Sequence, residues 1–359
     1  MKKRLLSLVL SAVMLLAASA TSVMAEPTPP YFLRMSGANR YDTSLVAAKN
    51  FTRAMADWED DKAPGLVLAT GENFPDALTG TILAITFEGY NGVPLLLVDP
   101  ANPKPVLDFC RDYVEAKSKI YMLGGVNALP ESLFNALGSR GYDVRRITGQ
   151  DRWETNLNIL EEAYAEGYAK DELIVTTGTN YPDALSASGT GIAVMIVDPS
   201  GLNAAQKAFL KKHYNDYKRI ILLGGQNALP LNVEQQILFG TCADRYIRVA
   251  GATRYETSYC LAETLWGEEA DWDPWGMSLV TGTNFPDGLS AGPMAYWFDD
   301  PVILTNNNPE DYKWAKKWND QPNSGNWEVL VLGGENAIPK SLIKNITGYD
   351  EDYLTSLSS

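Results

Sequence analysis

Residues 71–78 read Gly-Glu-Asn-Phe-Pro-Asp-Ala-Leu, and close copies of this stretch occupy residues 178–185 and 282–289. The second copy reads Gly-Thr-Asn-Tyr-Pro-Asp-Ala-Leu and the third reads Gly-Thr-Asn-Phe-Pro-Asp-Gly-Leu. Each copy follows an apolar run that is typical of a buried β-strand, and its proline suits the first turn of a helix. The stretch therefore predicts a strand, a tight turn and a helix at three places in the chain.

Two further motifs accompany each copy, always in the same order. The upstream motif reads Gly-Ala-Asn-Arg-Tyr-Asp-Thr in its first copy and occupies residues 37–43, 149–155 and 251–257. The downstream motif reads Leu-Gly-Gly-x-Asn-Ala-Leu-Pro, with isoleucine for the second leucine in its last copy, and occupies residues 123–130, 223–230 and 332–339. Three motifs in a constant order indicate an internal repeat of roughly a hundred residues, the size of a small domain.

Hydrophobic periodicity divides each repeat into alternating helices and strands. In the first repeat it predicts helices over 42–58, 103–115 and 130–137, another opening at Pro75, and strands over 66–70, 95–98, 119–123 and 142–147. The strand over 95–98 is wholly apolar, which is typical of a sheet covered on both faces. We therefore predict an α/β fold of three tandem modules with mostly parallel sheets. In the second repeat, the helix after Asp183 is expected to be one or two turns shorter than its counterpart in the first.

The two ends of the chain differ from the repeats in composition. A basic head, an apolar core and small residues before position 26 predict a signal peptide over 1–25, with an uncleaved membrane anchor as the alternative. We then expect a linker over 26–33, repeats over 34–147, 148–249 and 250–348, and a C-terminal tail over 349–359. After signal removal the protein is expected to be secreted to the cell wall or cell surface, without a membrane association.

The formal net charge of −14 limits the classes of partner. Nucleic acids and anionic lipids need a basic surface, so neither is an expected partner. The acidic runs 59–61 and 350–352 lack the spacing of a calcium loop, and solvated surface is the expected role of both.

The cysteines and the single histidine limit the chemistry further. Three cysteines without a CxxC spacing predict no disulfide framework, although a bridge between Cys242 and Cys260 stays open. His213 is the one histidine, so a catalytic triad or a histidine-rich zinc site is not expected, and we assign His213 a structural role on a helix surface. The Leu-Gly-Gly turns lack the pattern of a nucleotide-binding loop, and neither a cofactor nor a metal is predicted.

The repeated polar residues are the candidates for binding. A guanidinium offers a planar fork of donors to a phosphate or carboxylate, although a structural salt bridge to the motif aspartate or to a neighbouring module explains a repeated arginine equally well. The motif aspartates either stabilise the turn and the helix dipole or contact a ligand. The motif asparagines either form the turn or hydrogen-bond sugar hydroxyls. These nine candidates are Arg40, Arg152, Arg254, Asp76, Asp183, Asp287, Asn73, Asn180 and Asn284.

Other residues of the upstream motif have simpler expected roles. Its aromatic residue, which is Tyr41, Trp153 or Tyr255, is expected to pack in a core or interface rather than to stack on a sugar. Its threonine, which is Thr43, Thr155 or Thr257, is expected to cap the following helix, with Asp42 as an alternative cap in the first repeat.

The three motifs together resemble the cell wall binding repeat 2 family of Gram-positive surface proteins. The resemblance covers roughly residues 34–345, and the three-motif set is much more specific than a single glycine-rich turn. It implies three Rossmann-like modules around a pseudo-threefold axis. It also implies non-covalent attachment to the cell wall through an anionic secondary polymer, such as a polysaccharide or a teichoic-acid-like chain. Other surface-layer proteins are a further expected class of partner.

Two other functions remain as alternatives to attachment. A secreted carbohydrate-active hydrolase needs a pair of carboxylates in one cleft, and no acidic pair repeats at such a spacing. A self-assembling surface-layer or adhesion component would associate with itself in solution. Attachment without catalysis is the function that we predict, because the candidate residues occur three times and an enzyme needs one site.

Overall fold

Three four-stranded parallel sheets, one for each repeat, organise the fold. The computed structural model describes residues 29–55, 62–87, 92–241, 245–267, 274–321 and 328–352. The signal peptide predicted over 1–25, the acidic run 59–61 and Cys242 lie outside these residues. The prediction of an α/β fold with parallel sheets is confirmed.

The first module has strands and helices close to those predicted from the sequence. Its elements are α1 (Arg40–Ala54), β2 (Ala63–Thr70), α2 (Pro75–Thr86), β3 (Leu95–Val98), α3 (Lys104–Tyr113), β4 (Val114–Leu123), α4 (Glu131–Gly138) and β5 (Asp143–Ile147). The strand order is β3-β2-β4-β5. Strands β2 and β3 are buried along their whole length, which explains their apolar sequences.

The second module repeats this order as β7-β6-β8-β9. Its elements are α5 (Arg152–Ala165), β6 (Glu172–Thr177), α6 (Pro182–Ala187), β7 (Ala193–Val197), α7 (Ala204–Lys212), β8 (Arg219–Leu223), α8 (Leu231–Phe239) and β9 (Arg245–Val249). Helix α6 has 6 residues where α2 has 12, so the predicted shortening by one or two turns is confirmed.

The third module takes its fourth strand from the other end of the chain. Its own elements are α9 (Arg254–Trp266), β10 (Gly276–Thr281), a 3₁₀ turn (Asp287–Ser290), α10 (Gly292–Trp297), β11 (Val302–Thr305), α11 (Pro309–Asn319), β12 (Glu328–Leu332) and α12 (Lys340–Thr347). Strand β1 (Tyr31–Met35) pairs in parallel with β12, which gives the order β1-β12-β10-β11. The linker expected over 26–33 is therefore wrong for residues 31–33, because they form part of this sheet.

A second arginine marks β1 as the counterpart of β5 and β9. Arg34 donates to the carbonyl oxygen of Gly333 at 2.7 Å, in the Leu-Gly-Gly turn of the third module. Arg146 and Arg248 make the same bond to the first glycine of this turn in their own modules, at 3.0 and 2.6 Å. Each of these arginines lies six residues before the arginine of the upstream motif. The sequence repeat therefore begins on the last strand of one sheet and continues into the first helix of the next module.

The acidic run 350–352 forms ion pairs with the third module. Glu351 accepts from the Arg34 guanidinium at 2.6 and 2.8 Å, and both side chains are largely buried. Asp350 pairs with Lys344 at 2.9 Å and Asp352 pairs with Lys340 at 2.7 Å, on the exposed face of α12. The expectation of solvated surface holds for the exposed Asp350 and Asp352 and is wrong for Glu351, because its carboxylate fixes the strand that completes the sheet.

The residue that caps the first helix of each module is not the predicted one. Asn39, Asp151 and Thr253 occupy the N-cap positions, and each side chain accepts from backbone N–H groups of the first turn. The motif threonine lies four residues further on, where its hydroxyl accepts from the backbone N–H of the motif's first glycine, as Thr43 does from Gly37 at 3.1 Å. The prediction that the threonine or Asp42 caps this helix is therefore wrong, because the helix begins earlier than the apolar pattern does.

His213 has the expected structural role, but it is buried. It ends α7 with its ring between two carboxylates, at 2.7 Å from Asp216 and 3.1 Å from Glu161 of α5. Only 2% of the residue is exposed, so the predicted helix surface is wrong. The neighbouring lysines form the exposed surface of this helix, whereas the imidazole ring packs against α5. No helix among the described residues has the length and apolar character needed to cross a bilayer.

Two buried carboxyl groups distinguish the third module from the others. Asp300, which precedes β11, is fully buried and accepts from the backbone N–H of Gly276 at 2.8 Å. Glu328 begins β12 and is 6% exposed. Burial raises the pKa of both groups, that of Glu328 to about 8, and the Glu328 carboxyl also raises the pKa of Asp300. At neutral pH the pair therefore retains a proton that the unfolded chain releases.

This pair is expected to make stability depend on pH. A carboxyl group whose pKa is raised on folding costs stability above its unfolded pKa, so the free energy of unfolding should fall between about pH 4.5 and pH 8, by up to about 1.4 kcal/mol per pH unit for one proton. Glu328→Gln should reduce this slope in denaturant titrations at several pH values, and the part contributed by the buried Asp300 should remain. The exposed control Glu335→Gln should keep it. An unchanged slope in Glu328→Gln would contradict the assignment.

Candidate functional site

The three copies of the 71–78 stretch meet through their aromatic side chains. Phe74, Tyr181 and Phe285 come from three different modules, and their ring centroids lie 5.5–6.2 Å apart. The rings are inclined to one another by 58–63°, close to the edge-to-face geometry that aromatic pairs prefer. We call these three residues the aromatic triad. It joins all three modules at one point.

Three arginines surround the triad, and each faces a ring from another module. Arg40 lies 5.7 Å from the centroid of Phe285, Arg152 lies 5.8 Å from that of Phe74, and Arg254 lies 5.4 Å from that of Tyr181. Module 1 thus contacts module 3, module 2 contacts module 1, and module 3 contacts module 2. These cation–π contacts form a closed cycle. We call the three residues the ring arginines.

Each ring arginine is also bonded within its own module. Its Nη1 atom donates to the carbonyl oxygen of the glycine that opens the 71–78 stretch or its copies, at 2.6 Å for Arg40, 2.9 Å for Arg152 and 2.7 Å for Arg254. The predicted salt bridge to the motif aspartate is not among the ion pairs of the described residues. All three ring arginines contact a carbonyl oxygen and an aromatic face, and Arg254 also donates to the Tyr181 hydroxyl. These contacts leave other guanidinium N–H groups for further acceptors.

The motif glycine also explains the aromatic residue that follows each ring arginine. A Cβ atom added to Gly71 would lie 2.5 Å from the Tyr41 ring, and one added to Gly178 would lie 2.2 Å from the Trp153 ring. A Cβ atom added to Gly282 would likewise lie 2.4 Å from the Tyr255 ring. This contact agrees with the expected packing role of these aromatic residues, and it fixes the helix that carries the arginine.

The motif aspartates lie at the point where the strand order of each sheet reverses. A Cβ atom added to Gly124, the first glycine of the Leu-Gly-Gly turn, would lie 2.6 Å from Asp76 Oδ2, and Gly224 and Asp183 have the same relation. In open α/β sheets, ligands bind at this reversal point, beyond the carboxyl ends of the strands. The carboxylate occupies that crevice in this protein. Glycine at a φ of +99° and +121° gives it the room.

Burial raises the pKa of all three aspartates, and the guanidinium of a ring arginine from the next module opposes this shift. The pKa of Asp76 rises to about 6 beside Arg152, and that of Asp183 rises to about 6 beside Arg254. The pKa of Asp287 is also raised, against Arg40 and the Thr43 hydroxyl. Each motif aspartate therefore lies close enough to a ring arginine of the next module to interact with its charge.

The motif asparagines are more exposed than the motif aspartates. Asn73, Asn180 and Asn284 all have exposed side chains at the turn before the aromatic residue. Asn180 Oδ1 accepts from the backbone N–H of Tyr181 at 3.0 Å, as a turn-forming asparagine does. The structure thus brings the ring arginines and the motif aspartates together, and places the asparagines beside them at the surface.

The aromatic triad and the second set of arginines were not among the predicted site residues. An aromatic residue stands at one position of all three 71–78 copies, and Arg34, Arg146 and Arg248 recur at one spacing, so the sequence contains both signals. In the described ranges, no group of three or more His, Cys, Asp or Glu residues is arranged to hold a metal ion.

The comparisons with known proteins agree with this architecture. The family model for cell wall binding domain 2 matches residues 34–134, 146–234 and 248–343. The N-acetylmuramoyl-L-alanine amidase LytC of Bacillus subtilis is 22% identical over 278 residues, which are 76% of this chain and 50% of the amidase. The match thus leaves half of the amidase without a counterpart here.

Two solved structures share the fold. Cwp6 from Clostridium difficile superposes with a TM-score of 0.72 at 18% identity, over 93% of this chain and 51% of that protein. Cwp8 from the same organism gives 0.69 at 19% identity, over 88% and 52%. The chain spans about half the length of these relatives. With three matched segments that together cover most of its residues, the chain belongs to the cell wall binding domain 2 family.

Proposed function

We propose that this protein attaches non-covalently to the bacterial cell wall, and that the ring arginines bind an anionic wall polymer. The observation that carries the proposal is the cycle of three guanidinium groups around the aromatic triad. Each has donors left after its bond to a carbonyl oxygen, and guanidinium groups match the geometry of phosphate and carboxylate. Membership of the cell wall binding domain 2 family supports the wall as the location.

The acidic net charge is compatible with this binding. Screening at physiological salt limits the repulsion from distant carboxylates to about 8–10 Å. Within that distance, the ring arginines lie at the first residues of α1, α5 and α9, where the helix dipole adds partial positive charge. The motif aspartates beside the ring are half-buried, and burial raises the pKa of each, which weakens their negative charge relative to that of exposed carboxylates. An approaching anion therefore meets a site that is less acidic than the chain as a whole.

The threefold repetition supplies affinity that a single site lacks. We infer that the cyclic contacts reflect a pseudo-threefold arrangement of the modules, which would present three corresponding sites on one rigid frame. A polymer with a repeating anionic unit can occupy several of them, and avidity then exceeds the affinity of each site without new contacts. The exposed asparagines beside the arginines suit the hydroxyl groups of a polysaccharide or a teichoic-acid-like chain.

Cosedimentation with isolated cell walls tests this function. The protein should bind walls that retain their secondary polymer. Binding should weaken as the salt concentration rises from 50 to 500 mM, because salt screens ion pairs that are exposed to solvent. Walls from which the polymer has been extracted should bind little. Equal binding to both preparations would show that the polymer is not the ligand.

A further inference from the structure

We propose that the three sites are unequal and that Arg152, between the first and second modules, makes the principal contact with the anion. The inference rests on the proposed function and assigns its specificity to one of the three arginines. Arg152 is the exposed one of the three, whereas Arg40 and Arg254 are half-buried. All three make the same carbonyl and cation–π contacts, so the difference comes from their other neighbours.

The site of Arg254 contains an additional partner. Tyr181, the ring over which it lies, has a hydroxyl that accepts from Arg254 Nη1 at 2.9 Å and donates to the Gly282 carbonyl at 3.2 Å. The corresponding rings for the other two arginines are phenylalanines and offer no such acceptor. A ligand at Arg254 therefore has to compete with this internal bond, which lowers the gain from binding.

The site of Arg40 contains an additional negative charge. Glu72 follows the motif glycine to which Arg40 donates, and the Tyr41 hydroxyl holds its carboxylate at 2.9 Å. Burial is the largest cause of the rise in the pKa of Tyr41 to about 12, and Glu72 and Asp99 contribute to it. A carboxylate fixed at this position repels an approaching anion.

The site of Arg152 lacks the tyrosine hydroxyl and the Glu72 carboxylate, although it has a carboxylate of its own in Asp151, where the other two sites have Asn39 and Thr253. Thr179 takes the place of Glu72, and its hydroxyl is bonded to that of Thr177 at 2.8 Å. The adjacent carboxylate of Asp151 is engaged as the helix cap, where it accepts from the backbone N–H of Glu154 at 2.9 Å. The exposed guanidinium over Phe74 is thus the one with the fewest competing partners.

Three matched substitutions test the ranking. Arg152→Gln should weaken binding to polymer-bearing walls about tenfold, because it removes a charge-assisted contact with the anion. Arg40→Gln and Arg254→Gln should weaken binding by less than about threefold, because competing groups already limit the contact of these arginines with the anion. Circular dichroism and thermal unfolding of each variant separate binding from folding. Arg152→Lys, which retains the charge, should recover part of the affinity even if Arg152→Gln is unstable.

A charge exchange at the neighbouring position provides an independent check. Thr179→Glu should weaken binding, and Glu72→Thr should strengthen it. Equal losses in the three glutamine variants, or a larger loss at Arg40 or Arg254, would overturn the ranking while the proposed function stands. Absence of polymer-dependent binding by the unaltered protein would overturn both.

Discussion

A chain that begins at Ser36 is expected to lose the folded third module. Such a chain lacks β1, so the backbone groups of β12 lose their partners along one edge. It also lacks the fully buried Met35 and the bonds from Arg34 to Gly333 and Glu351. Loss of a buried methionine alone costs about 2–5 kcal/mol, a large part of the 5–15 kcal/mol that stabilises a typical domain.

Hydrogen exchange measures this effect directly. The amides of β12 and α12 should exchange rapidly in the shortened chain, while those of β4 and β8 stay protected. A chain that begins at Pro29 is the matched control and should exchange normally. Addition of a peptide of residues 29–36 should restore protection in part. Unchanged protection of β12 without the peptide would show that β1 does not close the third sheet.

Removal of the aromatic triad is expected to have the second large effect. Phe74→Ala should destabilise the protein by about 2–4 kcal/mol, because Phe74 packs against both other rings and lies under Arg152. We expect the unaltered protein to unfold in one transition and the double variant with Phe285→Ala to unfold in several, since its modules lose their common contact. Chemical denaturation followed by tryptophan fluorescence and by circular dichroism detects that separation.

Phe239→Ala serves as the matched control for the triad. This phenylalanine is 84% exposed at the end of α8, and its loss should change the free energy of unfolding by less than about 0.5 kcal/mol. If Phe74→Ala is equally mild, the triad does not couple the modules.

The modular fold was predictable because its signals are local. The strand before each 71–78 copy, its proline and the following helix lie within a few residues of one another, so their pattern is legible without tertiary information. Helix boundaries were less accurate. Asn39 caps α1 four residues before the predicted Thr43 and three before the alternative Asp42, because capping depends on backbone geometry and not on the apolar stripe.

Closure of the third sheet by β1 was not predicted, because it joins residues about 300 positions apart. The spacing between Arg34 and Arg40, which recurs in the other two repeats, is the sequence signal that indicates this strand. It shows that each repeat starts on a strand, and β1 is the strand that starts the first repeat. Within the part of the chain that the structure describes, no strand follows α12, and β1 takes that position in the third sheet.

The candidate site was predicted in its residues but not in its contacts. Arg40 and Asp287 are neighbours, as a repeated pair suggests, yet the arginine donates to the carbonyl oxygen of Gly71. The sequence does not show which carbonyl oxygen accepts from the arginine, because every residue has a carbonyl group. The inter-module direction of each contact also depends on packing between modules, which the periodicity of one module does not describe.

The most direct test of the central claim is the binding of one variant, in which Arg40, Arg152 and Arg254 are all replaced by glutamine, to walls that retain their polymer. The bound fraction should fall to the level seen on polymer-free walls, while circular dichroism shows an unchanged fold. A folded triple variant that binds as well as the unaltered protein would contradict the claim that the ring arginines bind the wall polymer.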